Sequence, residues 1–243
     1  MLTKGDEYPI HQTPEPVAFS GSDRNFYDRF FFNGYSADGS VFFAAAFGVY
    51  PHLNVMDGAV SILKDGVQKS VHVSRLLGME RMDTTVGPRS VEVVEPLKQV
   101  RLRLEETDGI ALDVQFTGRH FPIEEPRFTY RQGPRMLIDC TRMTQNGHWQ
   151  GSLSADGDAI EVKDFFGTRD RSWGVRPIGQ RDEQPVLPLQ LPQFYWLWAP
   201  INFPDQSLYF HVNEDGGGGA WNTRSVLAMD GADNEGLLHL NRP

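Results

Sequence analysis

The feature that most constrains this chain is its punctuation by aspartate-glycine and asparagine-glycine pairs set between short apolar runs. Asp38-Gly39, Asp65-Gly66, Asp108-Gly109, Asn146-Gly147, Asp156-Gly157, Asp215-Gly216 and Asp230-Gly231 each have strand-like sequence on both sides. Such pairs supply the positive φ that tight hairpin turns need, so they predict antiparallel strands joined by short connections. Phe26–Tyr35 is expected to pair with Val41–Tyr50, Ala59–Lys64 with Val67–Arg75, and Leu97–Glu105 with Ile110–Arg119. In the last pair Val100, Leu102 and Leu104 alternate with Arg101, Arg103 and Glu105, a period of two that gives one dry face and one wet face. No long stretch places apolar side chains at helical spacing, and 24 glycines and 16 prolines interrupt any that could be drawn. The fold class is therefore all-β, built from antiparallel meanders.

Residues 1–22, with Pro9, Pro14 and Pro16, read as an extended N-terminal arm. Residues 23–125 read as a first β domain, ending where Phe121-Pro122-Ile123-Glu124-Glu125-Pro126-Arg127 breaks the strand rhythm. Residues 126–243 read as a second β domain, with strands expected over Arg135–Thr144, Trp149–Ser154 and Ala159–Phe165. Pro177–Pro192, which carries Pro185 and Pro188, is expected to be a long crossing segment or lid. The end at Leu237–Pro243 fits either a last strand that closes a sheet or a chain that continues.

Several function classes are excluded by composition. A net charge of -9 leaves no surface-wide excess of lysine and arginine to release counterions, so no nucleic-acid partner is expected. One cysteine, Cys140, permits no internal disulfide and no cysteine-ligated zinc. The opening residues lack a signal peptide's apolar run and no window reaches the roughly 20 apolar residues of a membrane span, so a cytoplasmic protein is expected. The seven histidines show neither helical ligand spacing nor a His-x-His pair, and no metal is assigned. There is no Gly-x-Ser-x-Gly elbow and no phosphate loop, and Gly216–Gly219 reads as a hairpin tip. No cofactor is expected.

The stretch that carries chemistry is Phe165–Arg176, which holds three guanidinium groups, one acid, an indole and two glycines. This is too much charge for a core strand and too much aromatic for a solvated loop. One reading is a structural clamp, with Asp170 accepting bidentate hydrogen bonds from an arginine and Trp173 closing the end of a barrel. The other is a site, with Asp170 desolvated beside Trp173 and acting as acid, base or anchor. Downstream, Phe194, Trp196 and Trp198 fall on one face of a strand and Tyr195 and Leu197 on the other. Trp196, Trp198 and Trp221 form either a barrel core or the lining of an apolar pocket, with His211 or Tyr195 offering a polar atom. Tyr50 and His52 end an apolar strand where a ligand's head could meet them, and His148 either caps a turn or faces the same cavity.

Gly147-His148-Trp149-Gln150-Gly151, followed by Gly167-Thr168-Arg169-Asp170-Arg171-Ser172-Trp173-Gly174-Val175-Arg176, resembles the tandem lipocalin-like proteins of the AttH-like and carotenoid 1,2-hydratase type. The chain is most similar to a bacterial branch in which an Asp-Arg-Ser-Trp-Gly-x-Arg core recurs. The resemblance implies two calycin-type antiparallel β-barrels or strongly curved sheets packed side by side. It also implies a ligand tunnel and chemistry on terpenoid, polyketide or aromatic substrates. On it Asp170 matches the family's aspartate and Trp173 its tryptophan. With the reading of the residues themselves, Asp170, Arg171 and Trp173 are the catalytic candidates, and Tyr50, His52, His148, Arg176, Tyr195, Trp196, Trp198, His211 and Trp221 the candidate substrate contacts. The hydratases carry Asp-His-Asn-Trp-Gly where this chain has Arg171 and Ser172. A permanently charged guanidinium cannot shuttle protons at neutral pH as imidazole can, which leaves Asp170 as the proton donor or acceptor. The expected function is cofactor-independent hydration, dehydration, isomerisation or cyclisation of a hydrophobic small molecule. The alternatives are a carrier of such a molecule and a purely structural domain.

Overall fold

The computed structural model describes residues 2–3, 5, 8–19, 21, 23–178 and 193–240, without the side chain of Arg135. Most of the expected lid, residues 179–192, lies outside the described residues. The chain forms strands β1 (Phe26–Tyr35), β2 (Val41–Tyr50), β3 (Val55–Lys64), β4 (Val67–Leu76), β5 (Thr85–Val86), β6 (Arg89–Glu95), β7 (Gln99–Thr107) and β8 (Ile110–Gly118). These are followed by β9 (Ile123–Glu124), β10 (Phe128–Gln132), β11 (Arg135–Ala155), β12 (Asp158–Val175), β13 (Phe194–Asn202), β14 (Gln206–Asp215), β15 (Ala220–Met229) and β16 (Leu238–His239). The expected all-β class and antiparallel pairing are observed. A large sheet runs β4-β3-β2-β1-β12-β11-β8-β7-β6-β5, with β9 and β10 also paired to β11, and a second sheet runs β13-β14-β15-β16.

Three expected hairpin turns carry the left-handed geometry that motivated them: φ is 52° and 77° at Asp65-Gly66, 51° and 80° at Asp108-Gly109, and 53° and 84° at Asp156-Gly157. Asn146-Gly147 is a correction, because β11 runs straight through it for 21 residues. The two strands expected around it, Arg135–Thr144 and Trp149–Ser154, are halves of one strand. The glycine serves close approach instead of a turn. Gly118, Gly147, Gly167 and Gly34 stand opposite one another across β8, β11, β12 and β1. A Cβ on Gly147 would run into the Phe116 ring, and one on Gly167 into the Asn33 carbonyl and the Trp149 indole.

That row of missing side chains receives Trp149, which is fully buried, packs edge-on against Phe43 with ring centroids 5.2 Å apart, and donates from its indole N–H to the Asn33 carbonyl at 2.8 Å. Around it the large sheet wraps a core that includes Phe32, Phe47, Met56, Ile62, Val100, Leu102, Ile110 and Phe116. Among the described residues no ladder joins the free edges of this sheet. Arg75 of β4 bridges them, donating to the Asp83 and Thr85 carbonyls at 2.7 Å each and to those of Leu76 and Leu77.

Strands β11 and β12 extend beyond this core, and the small sheet packs on their opposite face. Trp198 of β13 donates to Thr144 of β11 at 3.0 Å, and Asn202 donates to the Tyr35 hydroxyl at 3.1 Å. The expected boundary between residues 125 and 126 falls between β9 and β10, which both pair with β11.

Candidate active site between the two sheets

Strand alternation divides the Phe165–Arg176 stretch between two environments. Arg169, Arg171 and Trp173 turn toward the side of the large core. Arg171 pairs with Asp28 at 3.0 Å and lies 4.5 Å from the Phe30 ring centroid and 5.2 Å from that of Trp173. Arg169 is buried over Phe116 and donates to Gln145 at 2.6 Å. Asp170 turns the other way, to the face covered by the small sheet. Of the three residues expected to act together, only Asp170 is on that face.

Asp170 stands opposite Thr144 across the β11–β12 ladder, with Arg142 two residues before Thr144 on the same face. Glu125, in the segment after β9, is anchored there by its backbone N–H, which donates to the Arg142 carbonyl at 2.9 Å. Its side chain is 1% exposed and both oxygens are engaged. Oε1 accepts from the Thr144 hydroxyl at 2.9 Å, and Oε2 lies 3.3 Å from Arg142 Nε. Thr144 in turn accepts the Trp198 indole N–H, so a chain of hydrogen bonds runs from the small sheet to the buried carboxylate. The Arg142 guanidinium lies 5.0 Å from the Trp196 ring centroid and 5.9 Å from that of Phe128.

The facing strand β14 buries Ser207, Tyr209, His211 and Asn213 in strict alternation, a polar stripe where a sheet interior is usually aliphatic. Asn213 donates its amide N–H to His211 Nε2 at 2.5 Å, which leaves the proton on Nδ1, 3.9 Å from Glu125 Oε2. Burial pulls the His211 pKa down, so the ring is neutral near pH 7. Burial and then the negative charge of Glu125 push the Tyr209 phenol up, which keeps its proton in place.

Asp170 differs from the carboxylates that do form clamps. Asp113 and Asp139 accept bidentate bonds from Arg101 and Arg127, and Asp230 accepts from the buried Arg119. Among the described residues Asp170 accepts no hydrogen bond and joins no ion pair. Burial raises its pKa to about 6, against the opposing pull of Arg142, with Glu125 adding to the rise.

The remaining expected contacts are spread more widely. Trp196, Trp198 and His211 belong to this cluster. Arg176 lies 4.6 Å from the Tyr27 ring centroid and acts on Asp170 through space. Tyr50 is half-buried against the small cluster of Tyr27, Phe128 and Cys140. Trp221 stacks edge-on against Phe128 at 4.9 Å, and the two line a cavity of 290 Å3 together with Tyr130, Ile138, Phe194 and Asp215. His148 shares the Asp170 face but sits four residues along β11 from Thr144, roughly 13 Å away at strand spacing, against Phe166. His52 and Tyr195 are exposed. No group of three or more His, Cys, Asp or Glu side chains among the described residues is placed to hold a metal ion, and no helix among them is long and apolar enough to cross a membrane.

Glu125, Arg142, Thr144, Tyr209 and Asn213 were not singled out by sequence reasoning. Glu125 lay in a segment read as a boundary, and Arg142 resembled any strand arginine. The alternation in Ser207–Asn213 was visible, yet the usual rule would bury Leu208, Phe210 and Val212 instead.

Two antiparallel sheets packed through a polar seam define the class, a lipocalin-like fold of the AttH type. A protein from Nitrosomonas europaea solved as a candidate AttH shares it with a TM-score of 0.57 at 15% identity, the match covering 96% of this chain and 74% of the other. Kievitone hydratase from Nectria haematococca shares it with a TM-score of 0.53 at 13% identity, covering 99% and 71%. The chain belongs to the family of unknown function DUF8625, whose profile matches residues 2–237. No curated protein matches it.

Proposed function

We propose that the seam between the two sheets is the active site of an enzyme that adds or removes water from, isomerises or cyclises a hydrophobic small molecule. The observation that carries this reading is Asp170, a half-buried carboxyl without a hydrogen-bond partner among the described residues and with a pKa of about 6. A group that titrates near the working pH holds a usable proton and gives it up at low cost, which is what a general acid requires. Tyr209, which interacts with Asp170, and His211, beside Glu125, are neutral groups able to orient a polar substituent, and the aromatic cavity at Phe128 and Trp221 accommodates an apolar body. Arg171 and Trp173 support the strand from behind and hold the angle at which Asp170 is presented. Fold-level similarity to a protein solved as a hydratase points the same way, as analogy.

The test begins with native mass spectrometry of whatever copurifies from the source organism, supplemented by a panel of terpenoids and aromatic polyketides. A bound molecule that wild-type protein converts, and that Asp170→Asn binds without converting, is the expected result. Binding with no conversion by wild type would establish a carrier instead. Failure of every apolar compound to bind would refute the site.

A further inference from the structure

The seam holds a second feature that the acid/base reading leaves unused. Arg142 is fixed on three sides. Glu125 Oε2 forms an ion pair with it, 3.3 Å from Nε, and the Trp196 and Phe128 rings flank the guanidinium at 5.0 and 5.9 Å. Among the described residues neither of its Nη groups donates a hydrogen bond, and the side chain is 14% exposed. A guanidinium held by an ion pair and two rings, whose terminal nitrogens donate no hydrogen bond among the described residues, is a preorganised fork, matched in width to two oxygens of one planar group. Its entropy of ordering is already lost in the free protein, so little is lost when a partner arrives.

We infer that Arg142 is the receptor for a planar oxyanion, a carboxylate or an enolate, carried on the apolar substrate of this seam. Phe128 connects the two halves of such a ligand, since its ring lies beside the guanidinium and also lines the 290 Å3 cavity with Tyr130, Ile138, Phe194 and Trp221. The one acid among the described residues on the cavity wall, Asp215, has its charge taken up inside its own hairpin by the N–H groups of Gly217 and Gly219 at 2.8 and 2.9 Å. Arg29 and Arg176 also act on the Asp170 carboxyl, Arg29 acting on Asp57 as well. The inference deepens the active-site reading by giving its substrate a charged handle, and it rests on that reading for the location of the substrate.

The experiment compares matched probes at pH 7.5, 2-naphthoic acid against 2-naphthamide and decanoate against decanamide, by calorimetry and by quenching of tryptophan fluorescence. Wild-type protein is expected to prefer each acid by about 10- to 100-fold, the range of a charge-assisted pair over a neutral one. Arg142→Gln should bring the acid down to the amide's affinity, and Arg142→Lys, which keeps the charge and loses the fork, should retain part of the preference. Should Arg142→Gln not fold, Arg142→Lys alone decides. Equal binding of acid and amide by wild type, an acid preference that persists in folded Arg142→Gln, an undiminished preference in Arg142→Lys, or no binding of either pair would overturn the inference. Because turnover is not read, an intact acid preference beside an inactive enzyme sinks the catalytic reading alone. Turnover of a substrate without an oxyanion sinks this inference alone.

Discussion

Replacing Asp170 by asparagine should stabilise the protein, and by an amount that depends on pH. The carboxyl titrates at 3.8 in an unstructured chain and at about 6 in the fold, where burial disfavours its charged form. Between those values the folded chain holds a proton that the unfolded chain has released, so stability falls as pH rises. Carried through, the ionised carboxyl costs the folded state about 3 kcal/mol above pH 7, about half of that at pH 5, and nothing well below pH 4. Asparagine has nearly the same shape and does not ionise. Urea unfolding of wild type and Asp170→Asn at half-unit steps from pH 5 to 8 should therefore show the variant more stable throughout, with the gap widening by about 1.5 kcal/mol across the range. A variant less stable than wild type at pH 7.5, or a gap that closes as pH rises, would refute the reasoning. Either result would mean that the carboxylate is held by a partner, and Asp170 would then be a clamp. A site that gains stability on losing its acid is the signature of a group kept for chemistry at the expense of the fold.

If Asp170 is the general acid, turnover at saturating substrate should decline toward high pH with a midpoint near 6, and a rate that climbs through that pH would instead make it the base. Gly167→Ala would push a methyl group against the Asn33 carbonyl and the Trp149 indole, neither of which can move freely. A loss of about 2–4 kcal/mol in denaturant unfolding, with an altered near-ultraviolet spectrum from Trp149, is expected. Arg75→Gln should cost about 2–4 kcal/mol and raise amide exchange in β4 and β5 ahead of the other strands, because four backbone carbonyls lose a charged donor. Uniform exchange across the sheet would show that its edges do not depend on that side chain.

What the sequence determined by itself was the backbone. Asp-Gly pairs specify a local φ and period-two apolar runs specify a pleated face, and both act over a few residues, so hairpins such as β3–β4, β7–β8 and β11–β12 could be read directly. The same period already separated Asp170 from Arg171 and Trp173, which a strand cannot present on one face. Asn146-Gly147 misled because glycine answers two different needs, positive φ and close approach, and only the neighbouring strands reveal which applies. The tertiary structure alone decided the site. Glu125, Arg142, Asp170, Tyr209 and His211 come from four separate parts of the chain, and no local pattern encodes their meeting. It also decided which side of β14 went inside. Leu208, Phe210 and Val212 alternate with Ser207, Tyr209, His211 and Asn213 as a half-buried strand should, and hydrophobicity favours burying the first set. The polar set is buried instead, because the surface it meets already carries Glu125 and Arg142, and a buried charge is stable only where polar groups surround it.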